Sequence, residues 1–388
     1  MRSLNAALDR LAEATPPSRA RVPDLLRLFS ICVVVVWHWT LSINYFRDGV
    51  LAMPNPIARV PLAWLATWLL QVMPLFFVVG GFANLAAWDA VRGRAGGTWP
   101  FLRARLRRLG IPVLVFVAVW AVADGLLLLA VPAYPGLLGY GRNVLVPLWF
   151  LAAYLWVILL VPVTATLHRR MGPGFLLLLG LAVLAADVLR FGADLSAFGY
   201  VNTALVWVFI HQLGYFWRDG SWRDGRRRWL PAACGLACLT VMVTVGGYPR
   251  SMVATEGAEL SNMYPTTAAV AALGLFQLGV VLLVSPALER LLARRRAWKT
   301  VVAGNAVIMT VFLWHMTALL LAMVTFDALG LPVYTEPTAA WWAQRPLWLV
   351  VPALFLAPLL ALFAPVERAA AAGGRPAGDP RARHPENP

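Results

Sequence analysis

The chain is divided into separated apolar blocks, several of which run for 18 or more residues with few charges. A helix of that length crosses a hydrocarbon layer of ~30 Å. Composition agrees, with 60% apolar and 13% charged residues, against about 45–50% and about 25% in soluble domains. The excess falls into blocks, so it does not describe an enlarged soluble core. The fold class expected is all-α: a polytopic membrane protein of about ten transmembrane helices.

Spans are expected near 25–46, 62–87, 110–131, 144–166, 174–191, 200–217, 229–247, 267–287, 303–326 and 346–365. The segments between them test orientation. With the amino terminus in the cytoplasm, 27 of the 33 Lys and Arg residues fall on the cytoplasmic side and 6 on the other. Basic residues accumulate in cytoplasmic loops, so both termini are expected there, in a bacterial inner membrane. The net charge of +15 follows from the same rule, and no nucleic-acid partner is expected.

Residues 1–24 read as a cytoplasmic segment without the apolar core of a cleavable signal, and the first span acts as its own insertion signal. Leu4, Leu8 and Leu11 share a face suited to a short surface helix. Residues 25–366 form the transmembrane domain. Residues 367–388, made largely of Ala, Gly, Pro and Arg, are expected to be a disordered cytoplasmic tail. Cys32, Cys234 and Cys238 lie in apolar spans with neither a disulfide framework nor a metal pattern, and read as small packing residues. No metal site is expected.

The first span carries the chemistry. From Asp24 it reads DLLRLFSICVVVVWHWT, with Arg27 at its cytoplasmic entry and His38 inside the apolar run. Ionisable residues inside a membrane are rare and functional by default. Eleven residues make slightly over three helical turns, so both side chains fall on nearly one face, ~16–17 Å apart along the axis. That stripe suits a long ligand with an anionic head and a reactive far end, as in a coenzyme A thioester. A neutral imidazole at the far end can take a proton from an attacking hydroxyl or amine. The alternatives are a snorkelling anchor for Arg27 and a packing histidine for His38.

An Arg, ten intervening residues and a His in the first span resembles the hallmark of the acyltransferase-3 family. The resemblance implies that His38 is essential for acyl transfer and that Arg27 lies toward a cytoplasmic acyl donor. Other segments are similar to the family along 22–366. MPLFFVVGGFANLAAW, from Met73, resembles its Phe-Phe and Ser-Gly-Phe segment, with Gly80 in place of the Ser. TWPFLRARLRRLGIP, from Thr98, resembles its Arg-x-x-Arg-Leu segment before a Pro, through Arg105, Arg108, Leu109 and Pro112. Its basic cluster suits the phosphates of coenzyme A, with Arg105 and Arg108 ahead of Arg103 and Arg107. Topological charge or anionic-lipid contact is the other reading. VPLWFLAAYLW matches a Trp-Phe-Leu segment and makes Trp149 a candidate cavity-lining residue. His315, in the ninth span, resembles a histidine often found there, and lines the cavity, orients a substrate or serves packing.

The residues outside these matches are less directed. His211 and Gln212 read as partners between helices. Asp124 and Asp187 fall toward the outer side. Asp48, Glu256, Glu259 and Glu336 fall in outer loops, as candidates for a polar acceptor. His168 is expected to be solvated in a cytoplasmic loop. The function expected is transfer of an acyl group, acetyl first among them, from cytoplasmic acyl-coenzyme A to a hydroxyl or amine of a carbohydrate or other polar acceptor. His38 is the general base, acyl-coenzyme A a co-substrate, and no cofactor is bound. The alternative is a multi-span transporter or exporter of an envelope metabolite, using His38, His315, Asp124 and Asp187 as a path.

Overall fold

A computed structural model describes residues 19–373 apart from 48, 94, 95, 133, 223, 224 and 226, together with residues 9, 10, 13, 15 and 16. The expected surface helix at Leu4, Leu8 and Leu11, the Asp48 position and residues 374–388 lie outside the described residues. Among the described residues the fold is helical apart from a two-stranded hairpin, β1 (Tyr45–Arg47) with β2 (Val50–Ala52), and one isolated bridge.

The first span is α1 (Arg21–Val36), which continues into a π-helical turn at Trp37–Leu41. There follow α2 (Ala63–Leu70), α3 (Met73–Asp89), α4 (Thr98–Ala130), α5 (Val146–Leu159), α6 (Val161–Met171), α7 (Pro173–Gly192), α8 (Ala197–Asp219), α9 (Leu230–Thr244), α10 (Ala268–Ala293), α11 (Arg295–Asn305), α12 (Ile308–Ala328) and α13 (Ala339–Ala372). Among the described residues, eight helical segments are long and apolar enough to cross a membrane, and α9 is apolar but shorter. Helix α8 is 23 residues long and carries polar groups inward, among them Asn202, His211 and Gln212. Every expected span therefore has a helix.

Several spans differ in detail, and proline accounts for much of the difference. The second span breaks at Gln71–Val72, ahead of Pro74, and the fourth breaks at Leu160, ahead of Pro162. Proline supplies no N–H to the preceding turn and clashes with it, but is welcome in a helix's first turn. The basic stretch before the third span is continuous with it, as α4 runs unbroken for 33 residues through Pro112. Helix α13 continues to Ala372, six residues past the expected edge of the domain.

Helix α12 is the most enclosed of the long helices and α4 the least. Leu114, Val122, Leu126 and Leu129 on α4 are exposed, as are Leu177, Leu181 and Val188 on α7. In a lipid solvent such faces are the natural exterior. The three cysteines, expected as small packing residues, are free and lie on exposed faces of their helices. At the centre, α3 and α8 approach so closely that a Cβ on Gly81 would overlap the His211 carbonyl oxygen, and one on Gly214 would overlap the Val78 carbonyl oxygen. The adjacent glycines of α3 thus serve close approach. Gly80 faces the ring of Tyr154.

Candidate active site

One stripe of α1 organises the site. Arg27, Ile31, Val34 and His38 follow at spacings of four, three and four, so they fall on one helical face. Arg27 is half-buried, 3.8 Å from Asp24 Oδ1. That is too long for a hydrogen bond, and the Arg19 Nε–H donates to the other Asp24 oxygen at 2.6 Å. Ile31 lines a small apolar cavity of about 40 Å³ with Phe76, Leu109, Phe150, Tyr154 and Phe312. Val34 and His38 line a larger one of about 290 Å³. Phe150 and Phe312 border both cavities, so the two are neighbours.

Helix α4 brings its own stripe to the Arg27 end. Phe101, Arg105, Arg108, Pro112 and Phe116 recur at helical spacing, and Phe101, Pro112 and Phe116 are buried against the bundle. Arg105 donates to the Ala83 carbonyl at 3.1 Å and lies over the Phe101 ring. Arg108 has no hydrogen-bond partner among the described residues. Arg27, Arg105 and Arg108 are close enough to interact electrostatically. The carboxylates within reach, Asp24 beside Arg27 and Glu367 beside Arg108, are already engaged by Arg19 and by the amino end of α12, so the three guanidinium groups would favour an anion between them. Arg103 and Arg107 lie on another face of α4 and are exposed, and Arg107 packs at Gly373 beyond the end of α13.

At the other end, His38 Nδ1 is 2.9 Å from His315 Nε2, with the ring planes within 5° of each other. His315 is fully buried on α12, and His315 Nδ1 is 2.7 Å from the Phe312 carbonyl oxygen. The Trp39 indole N–H donates to the His315 carbonyl at 3.0 Å. His38 itself sits in the π-helical turn. Such turns are uncommon and concentrate at functional sites. Arg345 of α13, lying over the Trp341 ring, directs its guanidinium toward the carbonyls of Thr40 and Ser42 at 3.4 Å and braces the turn's end. The amino end of α12 is held by Glu367, which accepts from the Met309 and Thr310 backbone N–H groups and from the Thr310 hydroxyl.

The larger cavity is lined by Trp37 and Trp149 beside Ser42, Asn55, Gln71 and Asn143. Trp149 and His315 thus meet in one cavity. The amide groups hold the surrounding loops. Asn55 donates to Ala254, Asn143 to Leu51 and Gln71 to Met252, at 2.6, 2.6 and 3.2 Å. Sequence reasoning did not find Trp37, Gln71 or Asn143. Gln71 left a signal, as an amide inside an otherwise apolar run before Pro74.

Other expected candidates are engaged elsewhere. Asp187 is buried and accepts from Asn202, Tyr248 and the Ala268 backbone N–H, which ties α7 to the start of α10. Asp124 accepts from the Tyr134 hydroxyl and the Leu137 N–H. Glu256 and Glu336 both pair with Arg59, at 2.9 and 2.8 Å. His211 bonds Asn84 of α3 at 3.1 Å, as a partner between helices. His168 is not solvated: it is buried between Gln212 and Asp219, because α6 carries it inward against α8.

A multi-span helical bundle that encloses a cavity with a paired imidazole, and keeps a cluster of guanidinium groups at one end, defines an integral membrane protein. The family model described as an acyltransferase domain matches residues 22–364, and the chain belongs to that family, acyltransferase 3. It is a membrane-bound acyltransferase. No curated protein and no solved structure matches the chain. Family membership decides against transport without acyl transfer, and Asp124 and Asp187 are bound into the scaffold rather than into a shared path.

Proposed function

We propose that this protein takes an acyl group, acetyl in the first instance, from acyl-coenzyme A on the cytoplasmic side and transfers it to a hydroxyl or amine of a carbohydrate or other polar acceptor, with His38 as general base. The observation that carries the reading is the α1 stripe, which leads from the guanidinium cluster past an apolar cavity to the imidazole. The pantetheine arm has about four or five residue-lengths of extended chain, ~15 Å, close to the ~16–17 Å between Arg27 and His38. The donor's phosphates then rest among Arg27, Arg105 and Arg108, and the thioester reaches the larger cavity. The Trp37 and Trp149 rings with the neighbouring amides suit a hydroxylated acceptor there.

In this reading the acceptor's proton passes to His38 as its oxygen or nitrogen bonds to the acyl carbon. The carbon–sulfur bond then breaks, and the proton passes from His38 to the departing thiolate. Both termini lie in the cytoplasm of a bacterial cell, and the chain spans its inner membrane. The test is incubation of the purified, reconstituted protein with acyl-labelled coenzyme A thioesters and an envelope extract. Label is expected to move to a polar envelope component, acetyl fastest. Substrate flux with no thioester consumption would overturn the proposal.

The donor side has its own prediction. Replacing both Arg105 and Arg108 with alanine removes two charge-assisted phosphate contacts, each worth about 1.5–3 kcal/mol. The Michaelis constant for acyl-coenzyme A is expected to rise at least about tenfold, with a smaller change for Arg27→Ala. Arg103→Ala, on the other face of α4, is expected to leave it within about twofold. An unchanged constant in the double variant would remove these residues from the donor site.

A further inference from the structure

The hydrogen bonds around the two histidines restrict where their protons lie. The Phe312 carbonyl can only accept, so the His315 nitrogen 2.7 Å from it carries a hydrogen. In a neutral imidazole the other nitrogen is then an acceptor, and for His315 that is the Nε2 facing His38. The contact at 2.9 Å needs a donor, and only His38 Nδ1 is available to supply it. His38 Nε2 is therefore left with a lone pair. Among the described residues no protein group bonds it, and His38 lines the cavity.

We propose that His315 is a positioning residue that fixes His38 as its Nδ1–H tautomer and so makes His38 Nε2 the atom that receives the acceptor's proton. This rests on the reading of His38 as general base. The chain of bonds runs from the α12 backbone through two rings. Phe312 fixes His315, and His315 fixes the tautomer and ring plane of His38. Trp39 clamps the same stretch of α12 to α1 through the His315 carbonyl. The arrangement parallels a carboxylate orienting a catalytic histidine, but here the orienting group is uncharged. When His38 takes the proton on Nε2, its Nδ1–H stays bonded to His315. When the thiolate leaves, the same Nε2–H returns the proton to sulfur and the pair is restored.

Two experiments test this. The first reads the tautomer in the unaltered protein. In ¹⁵N-histidine-labelled protein reconstituted in bilayers, His38 is identified as the signal lost in His38→Ala. Its solid-state spectrum is expected to show a protonated Nδ1 and an unprotonated Nε2. A protonated Nε2 with a bare Nδ1 would overturn the proposal. The second compares His315→Gln and His315→Leu. The Gln side-chain oxygen can occupy the place of Nε2 as acceptor, and Leu offers none. Both are expected to keep the Michaelis constant for the donor. The kcat of the Leu variant is expected to fall about 100-fold and that of the Gln variant to stay within about tenfold of wild type. Transfer by the Leu variant at near wild-type kcat, or a Gln variant as impaired as Leu, would also overturn it. Full activity in His38→Ala would instead sink the general-base reading, so the two failures are distinct.

Discussion

His38→Ala is expected to lower acyl transfer by about 10²–10⁴-fold, the usual contribution of a positioned general base, while the protein still inserts and folds. Among the described residues the imidazole holds one hydrogen bond, to His315. The helix that carries it is secured independently, by Trp39 on the His315 carbonyl and by Arg345 at the end of the π-helical turn. Removing the ring enlarges an existing cavity of about 290 Å³ rather than opening a new one in packed core. The loss is therefore expected in kcat, with donor affinity kept, because Arg27, Arg105 and Arg108 lie at the far end of the stripe. The measurement is initial-rate transfer by the purified variant beside its elution profile and unfolding temperature in detergent. Transfer within a few-fold of wild type would remove His38 from the chemistry.

Much of this site was legible because helix geometry is local. Arg27 and His38 share a face by spacing alone, and the stripe needed no tertiary information. The divergence within the basic cluster was legible in the same way. At 100° per residue Arg105 and Arg108 lie ~60° apart, while Arg103 and Arg107 are turned well away. The pairing of His38 with His315 was not legible, because the two are separated by 277 residues and no periodicity fixes the register of α12 against α1. A span ending at 166 leaves His168 in a loop. The break instead comes at Leu160, and α6 then turns the ring against α8. By sequence alone Asp187 falls toward the outer side, free to face a pocket. Only the fold reveals that it accepts the first backbone N–H of α10.

Gly81→Val is expected to be the most damaging substitution for stability. The reason is backbone against backbone rather than side-chain crowding. A Cβ at Gly81 meets the His211 carbonyl and lies about 3.1 Å from Gly214 Cα, and a Cβ at Gly214 would in turn lie 2.7 Å from the Phe82 nitrogen. Overpacking a core costs about 1–3 kcal/mol when side chains can yield. Here none intervenes, so α3 and α8 must part, and the loss is expected at or above the top of that range. Parting them also strains the Asn84–His211 bond at 3.1 Å and moves Met73, at the base of α3, within the larger cavity. Gly110→Ala is the matching control. It lies in α4 with nothing within 4 Å of the added Cβ, and alanine is favoured over glycine within a helix by roughly 0.5–1 kcal/mol. Thermal unfolding in detergent is expected to show Gly81→Val well below wild type and Gly110→Ala at or above it. Equal unfolding temperatures for Gly81→Val and wild type would mean that α3 and α8 do not touch through their backbones, and that the bundle holding the His38 site is assembled in another way.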